Sequence, residues 1–335
     1  MALPTAGLGR SGLEITRVGF GAWAIGGGDW ANGWGPQDDT DSVAAIRHAV
    51  ERGVNWIDTA AVYGLGHSEE VVGRALREMA PADRPLVFTK CGRVVDPATP
   101  MAMPVTNLHP DSIRSECEAL LRRLGVEAFD LYQFHWPNDS TGTPLEESWG
   151  VMARLQDEGK TRAIGASNYT VEELRRCEAV RHVDSLQPPF SPVRREAAAE
   201  LLDWCAAHET GVIVYSPMRS GLLTDRFSAE RAATLAEGDW RRRNPDFQSP
   251  QLERNLQLRD AMREIGRRHG VDTGAVAIAW TLSWPAVTGA IVGARSPEQV
   301  DGWIPAAALT LTPAELDEIA AAIDRIGAGA GPTRP

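Results

Sequence analysis

The stretch Phe129–Thr170, FDLYQFHWPNDSTGTPLEESWGVMARLQDEGKTRAIGASNYT, decides the fold. An apolar run at Phe129–Phe134 gives way to a polar loop, then a helical pattern over 144–158, then a second apolar run at Arg162–Ile164. Short apolar runs joined through a helix read as parallel strands with a helical crossover. The same cycle recurs outward in both directions. Further runs lie at Val18–Phe20, Asn55–Ile57, Leu86–Phe88, Ser185–Leu186, Val212–Tyr215 and Ala290–Val292, with helical patterns near 39–52, 68–80, 111–124, 170–180, 196–208, 273–283 and 297–303. Apolar strands alternating with helices imply a parallel sheet covered by helices. Eight such units are the count of a (β/α)8 TIM barrel, with an open doubly wound sheet as the alternative.

The expected domain is a single barrel over residues 1–335, with an N-terminal hairpin at 1–16 and a flexible C-terminal tail at 325–335. The arginine- and proline-rich segment 217–250 reads as a long loop after the seventh strand, on the catalytic face of such a barrel. Capping-box spacing marks helix starts at Thr143-Pro144-Leu145-Glu146, Thr170-Val171-Glu172-Glu173 and Ser296-Pro297-Glu298-Gln299. Gly7-Leu8-Gly9-Arg10-Ser11-Gly12 matches the dinucleotide fingerprint in letters, but it follows no strand and runs into the strand-like Leu13-Glu14-Ile15-Thr16. We read it as a hairpin that plugs the barrel floor.

Composition narrows the function. The chain has 335 residues and a net charge of −11, with 43% hydrophobic and 24% charged residues. That is an ordinary globular composition, and the acidity argues against a nucleic-acid or anionic-membrane surface. Ala275–Val292 is free of charge over 18 residues, but Pro285 divides it into a buried helix, a turn and a buried strand. Cys91, Cys117, Cys177 and Cys205 are widely spaced and form no C-x-x-C pair, which suits free thiols in the cytoplasm. No secretory signal is visible at the N-terminus. Of 34 cations only Lys90 and Lys160 are lysine, so each deserves a reason.

Barrel chemistry sits at the C-terminal strand ends. There the sequence offers Asp58 and Tyr63 after the second run, Lys90 after the third, and His135 after the fourth. Singly, each suits a loop, packing or core role. Together they can donate a proton to an oxygen that gains negative charge. A tyrosine titrates near pH 10, and an adjacent ammonium is expected to lower that value toward neutrality. Lys90 would supply the cation, Asp58 the carboxylate that keeps it charged, Tyr63 the proton, and His135 a ring N–H that orients a carbonyl oxygen.

The stretches GVNWIDTAAVYGLGHSEEVVGRAL, LYQFHWP, GKTRAIGASNYT and IVGARSPEQV resemble the aldo-keto reductases, a (β/α)8 family that reduces carbonyls with a nicotinamide cofactor. LQPPFSP, SGLLT and RNPDFQ are most similar to its bacterial general-stress-protein and inositol-catabolism-associated members. The resemblance implies Asp58, Tyr63, Lys90 and His135 as the catalytic tetrad. It implies cofactor contacts from Ser167, Asn168 and Gln187 to the carboxamide and from Tyr215 to the nicotinamide face. Ser216, Met218, Gly221, Leu223, Gly293, Ala294, Arg295 and Gln299 would serve the pyrophosphate and adenosine. Ser167-Asn168 also suits helix capping before Thr170. Three positions depart from the pattern: Gly293 and Trp303 replace a lysine and an asparagine of other branches, and Asn138 replaces a common aspartate.

Trp23, Trp30, Trp34 and Trp136 lie on loops at the expected mouth, where indoles stack on apolar or sugar-like substrates or simply pack the loops down. The expected function is NADPH-dependent reduction of small-molecule aldehydes or ketones. Two alternatives share the same residues: an aldose or polyol dehydrogenase using NAD(P)+, and a cofactor-binding regulatory subunit with slow turnover. A metal-dependent hydrolase is disfavoured by seven scattered histidines.

Overall fold

The computed structural model describes residues 2–28, 30–96, 98–137, 140–237 and 239–335. Eight parallel strands close into a barrel: β1 (Val18–Gly21), β2 (Trp56–Asp58), β3 (Leu86–Cys91), β4 (Phe129–Phe134), β5 (Thr161–Ser167), β6 (Ser185–Gln187), β7 (Gly211–Tyr215) and β8 (Val287–Gly293). β8 returns to β1 with Ala290 opposite Val18 and Gly293 opposite Gly21, which completes the ring. The register aligns the strand ends that matter. Asp58 lies opposite Gly21, Lys90 opposite Gln133, Ser167 opposite Gln187, and Tyr215 opposite Ile291.

The helices are α1 (Asp39–Glu51), α2 (His67–Arg77), α3 (Pro110–Leu124), α4 (Leu145–Asp157), α5 (Val171–Glu178), α6 (Leu201–Ala207), α7 (Ala229–Ala233), α8 (Gln251–His269), α9 (Thr273–Leu282), α10 (Pro297–Trp303) and α11 (Pro313–Ile326). α8 and α11 fall where the sequence pattern marks no helix. The uncharged stretch forms α9, a turn at Pro285 and β8, and among the described residues no helix is long and apolar enough to cross a membrane. Of the three expected capping boxes, the one at Thr170 and Glu173 closes. Thr143 does not cap α4, whose N-cap is Pro144, and its hydroxyl instead bonds that of Thr141 at 2.7 Å. Ser296 makes no capping bond, while an unmarked box at Thr312 and Glu315 starts α11.

The hairpin pairs Thr5–Gly7 with Glu14–Thr16 and closes the floor. Its Leu8, Leu13 and Ile15 are buried against Trp56, Phe88, Leu131, Ala163, Ile213 and Ile291 inside the barrel. Each such burial is worth about 1.5–3 kcal/mol. The fingerprint-like glycine is structural. Gly9 has φ +53° and passes so near Glu209 and Gly211 that a Cβ would lie 2.5 Å from Gly211 N. At the other end of the chain, the boundary expected at 325 falls inside α11. Beyond it Ala328 is buried, and Arg195 bonds the carbonyls of Ala328 and Ala330 at 3.0 and 2.9 Å.

The segment 217–250 is more ordered than an extended loop. It carries α7 and 3-10 turns at Trp240–Arg243 and Pro245–Phe247, and it buries Leu222, Phe227, Leu235 and Phe247 with Leu252 of α8 as a core of its own. This second core holds the segment over the C-terminal face.

Candidate active site

The C-terminal strand ends open into a cavity of about 450 Å³. Asp58 ends β2, and the chain then turns through a 3-10 segment, Tyr63–Gly66. Thr59 and Ala61 donate backbone bonds to Phe88 and Lys90, so the turn is tied to β3 at 2.9 and 3.2 Å. Gly64, at φ +59°, abuts Gly26 of the first loop, where a side chain would collide with backbone. These contacts aim Tyr63 into the cavity beside Lys90.

Lys90 is buried and its Nζ reaches Asp58 Oδ1 at 2.5 Å, the Thr59 carbonyl at 3.0 Å and the Tyr63 hydroxyl at 3.4 Å. The other carboxylate oxygen of Asp58 accepts from Gln187 at 2.9 Å and Gln133 at 3.4 Å. His135 meets the Tyr63 ring edge-on with centroids 5.6 Å apart. The four residues singled out at the strand ends are therefore one cluster.

Its electrostatics differ from the expectation in one respect. Burial, with the negative charge of Asp58 second, holds the Tyr63 phenol well above its ordinary value. The expected lowering by Lys90 is absent because burial outweighs it, and Asp58, nearer to that ammonium than Tyr63 is, offsets its charge. Burial also lowers the pKa of Lys90, opposed by Asp58. His135 is pushed well below the usual imidazole range by burial, then by the positive charges of Lys90 and Arg93. At neutral pH the site thus presents a protonated phenol and a neutral imidazole.

Ser167, Asn168, Gln187 and Tyr215 line the adjoining wall. Asn168 does not cap α5. Its φ is +66°, its amide donates to His135 O and Ser167 Oγ at 3.0 Å each, and it accepts from Tyr215 OH at 2.8 Å. Ser216, Met218, Gly221 and Gly293 also face the cavity. Leu223 does not: its side chain is fully buried and its N–H bonds Met218 O at 3.1 Å. Ala294, Arg295 and Gln299 also lie outside the cavity lining, and Ala294 is buried. Arg295 instead turns toward the first loop, donating to Gln37, the Pro36 carbonyl and, at 3.4 Å, the Trp34 carbonyl. Gln299 accepts from the Arg295 N–H at 2.9 Å.

All four tryptophans line the cavity, and they pack loops as well. Trp23 stacks on Trp34 at 5.4 Å, and Trp30 lies 6.1 Å from the Tyr63 ring. Asn138 lies outside the described residues, and Trp303 is buried in the core. The cavity also includes Arg219 and Ser220, within the stretch from Ser216 to Leu223 that the resemblance assigns to the cofactor, and Arg93, Met103, Arg194 and Trp240, none of them marked from sequence. Arg93 follows β3 by two residues, so the strand-end rule could have found it. Trp240 comes from the long insertion, where no periodicity points to the mouth.

The wall after β7 suits an anionic cofactor. Ser216, Arg219, Ser220 and Gly221 all have positive φ, a local backbone geometry that forms anion-binding concavities. Ser220 lines the cavity with a buried hydroxyl that has no hydrogen-bond partner among the described residues. A barrel with a phenol–ammonium–carboxylate–imidazole cluster beside such a wall defines a class of nicotinamide-dependent oxidoreductases. Residues 17–324 match the aldo/keto reductase family, and the chain belongs to it.

Among relatives, the chain is 34% identical to the aldo-keto reductase YhdN of Bacillus subtilis over 87% of this chain and 85% of that protein. It is 33% identical to the NADH-specific methylglyoxal reductase of Escherichia coli over 95% and 98% of the two. Among solved structures it is similar to the glycerol dehydrogenase AKR11B4 from Gluconobacter oxydans, with a TM-score of 0.87 and 35% identity over 99% and 98% of the chains. The holo aldo-keto reductase AKR11C1 from Bacillus halodurans, at 23% identity and TM-score 0.78 over 99% and 100%, shares the fold.

Proposed function

We propose that this protein is a cytoplasmic, NADPH-dependent reductase of aldehydes or ketones in which Tyr63 is the general acid. The observation that carries the reading is a protonated Tyr63 hydroxyl 3.4 Å from Lys90 Nζ, beside a neutral His135, in one cavity. A bound reduced nicotinamide supplies the hydride. His135 orients the carbonyl oxygen with a ring N–H, and Tyr63 gives up its proton as that oxygen gains charge. Lys90 stabilises the phenolate left behind, while Asp58, braced by Gln187 and Gln133, keeps the ammonium in place. Asn168, Ser167 and Gln187 would hold the carboxamide, Tyr215 the nicotinamide face, and the Ser216–Gly221 backbone with Ser220 the pyrophosphate. Four free, buried cysteines agree with a reducing compartment.

The oxidative reading, polyol dehydrogenation, uses the same groups in reverse, and the similarity to a glycerol dehydrogenase supports it. Aldehydes, ketones, aldoses and polyols assayed with both cofactors in both directions decide between the two. For cofactor choice, Arg295 opens the segment before α10 and offers a forked donor for the adenosine 2′-phosphate. NADH is the alternative cofactor, supported by the NADH specificity of the Escherichia coli relative and by the ties of Arg295 to the first loop. Arg295→Ala should raise the Michaelis constant for NADPH by about 1.5–3 kcal/mol in free energy and leave that for NADH nearly unchanged. Parallel changes for the two cofactors would remove Arg295 from that role.

A further inference from the structure

Among the described residues, the charged ones that line the cavity are Asp58, Arg93, Arg194 and Arg219. Two of the four are already neutralised: Asp58 by Lys90 and Arg219 by Asp246. Arg194 stands at the Tyr215 end, where its charge acts on that phenol. Arg93 stands at the His135 end, where its charge acts on the imidazole. It follows β3 in a short hairpin, and in a ring of eight strands β3 lies across from β7, whose wall suits the cofactor phosphates.

Arg93 donates from Nη1 to Thr106 Oγ1 at 2.9 Å, and its guanidinium lies 6.0 Å from the Trp136 ring centroid. Among the described residues no carboxylate lies within ion-pair distance of it. It is half-buried, and burial lowers its pKa with no acidic group opposing the shift. A desolvated guanidinium without a counter-charge is costly to keep. The expense has a use if a ligand brings the anion. In a protein of net charge −11, which repels anions at long range, a local uncompensated cation inside a cleft concentrates them where they react.

We propose that Arg93 is a specificity-determining residue that receives the carboxylate or phosphate of an anionic carbonyl substrate while Tyr63 and His135 engage its carbonyl oxygen. The proposal rests on the carbonyl-reductase reading. The planar fork keeps N–H donors beyond the one spent on Thr106, enough for a charge-assisted pair to either anion. Trp136 lies beside it and Met103 lines the same cavity, apolar surface suited to a short carbon spacer.

The test is steady-state kinetics on matched pairs: 4-oxobutanoate against butanal, and glyceraldehyde 3-phosphate against glyceraldehyde, with wild type, Arg93→Met and Arg93→Lys. Wild type should prefer the anionic member of at least one pair, and which pair identifies carboxylate or phosphate. Arg93→Met should lower kcat/KM for that member by about 10–100-fold, mainly through KM, with its neutral partner little changed. Arg93→Lys should fall between, because it keeps charge and loses the fork. Equal losses on both members would assign Arg93 a structural role and overturn the proposal. Neutral carbonyls turned over with no anionic preference would also overturn it and leave the reductase reading standing, whereas no turnover of any carbonyl would sink both.

Discussion

Replacing Lys90 with methionine separates the folding role of the buried pair from its chemical role. The substitution removes the ammonium 2.5 Å from Asp58 and leaves a carboxylate that is 2% exposed, held by the amides of Gln187 and Gln133. Breaking a buried pair from one side costs about 3–5 kcal/mol, because the remaining charge is stranded. Lys90→Met should therefore lose about that much in denaturant unfolding at neutral pH. Pairing it with Asp58→Asn removes both charges and should restore most of the stability. Turnover should not follow. Both variants leave the Tyr63 phenolate without its cation, so reduction should fall by about 10²–10⁴-fold in each. Lys90→Arg keeps charge but brings a larger, forked group into a pocket shaped for a point charge, and turnover should fall nearly as far. Recovery of turnover in the double variant, or near wild-type rates in Lys90→Arg, would refute the reasoning.

Further outcomes follow from single contacts. Gly9→Ala forces a Cβ against Glu209 and Gly211 at a positive φ, and should destabilise the barrel floor by about 1–3 kcal/mol in thermal or chemical unfolding. Burial, opposed by the Gly92 N–H, raises the Glu116 carboxyl from 4.5 to about 7. A raised folded pKa gives stability that is complete below 4.5 and lost as pH climbs through 7. Glu116→Gln should thus gain about 1–2 kcal/mol over wild type at pH 8 and little at pH 4, read from unfolding at both. The phenol of Tyr63 is raised, so alcohol oxidation, which needs its phenolate, should climb toward alkaline pH while reduction stays level through neutrality. Oxidation that falls toward alkaline pH, or reduction that falls through neutrality, would contradict this.

The eight strands and most helices were legible because apolar runs and helical periods alternate cleanly. α8 escaped notice for a physical reason. Its buried face includes Asn255 and Arg259 among Leu252, Leu258, Met262 and Ile265, so polar side chains interrupt the apolar period. The clustering of Asp58, Tyr63, Lys90 and His135 was legible because each lies at or shortly after the C-terminal end of a strand. The raised pKa of Tyr63 was not, since it comes first from burial and then from the charge of Asp58, and no spacing in sequence reveals either. Arg295 teaches the same lesson. The family resemblance implies a phosphate contact for it, and the structure adds its bonds to Gln37 and Pro36, far away in the chain.

Tyr63→Phe tests proton donation by Tyr63 most directly, because the ring and its packing against Trp30 and His135 remain. Reduction of a good aldehyde is measured beside fluorescence titration of cofactor binding. Turnover should fall by about 10²–10⁴-fold with the cofactor Kd essentially unchanged. Turnover within about tenfold of wild type, less than general acid catalysis supplies, would contradict it.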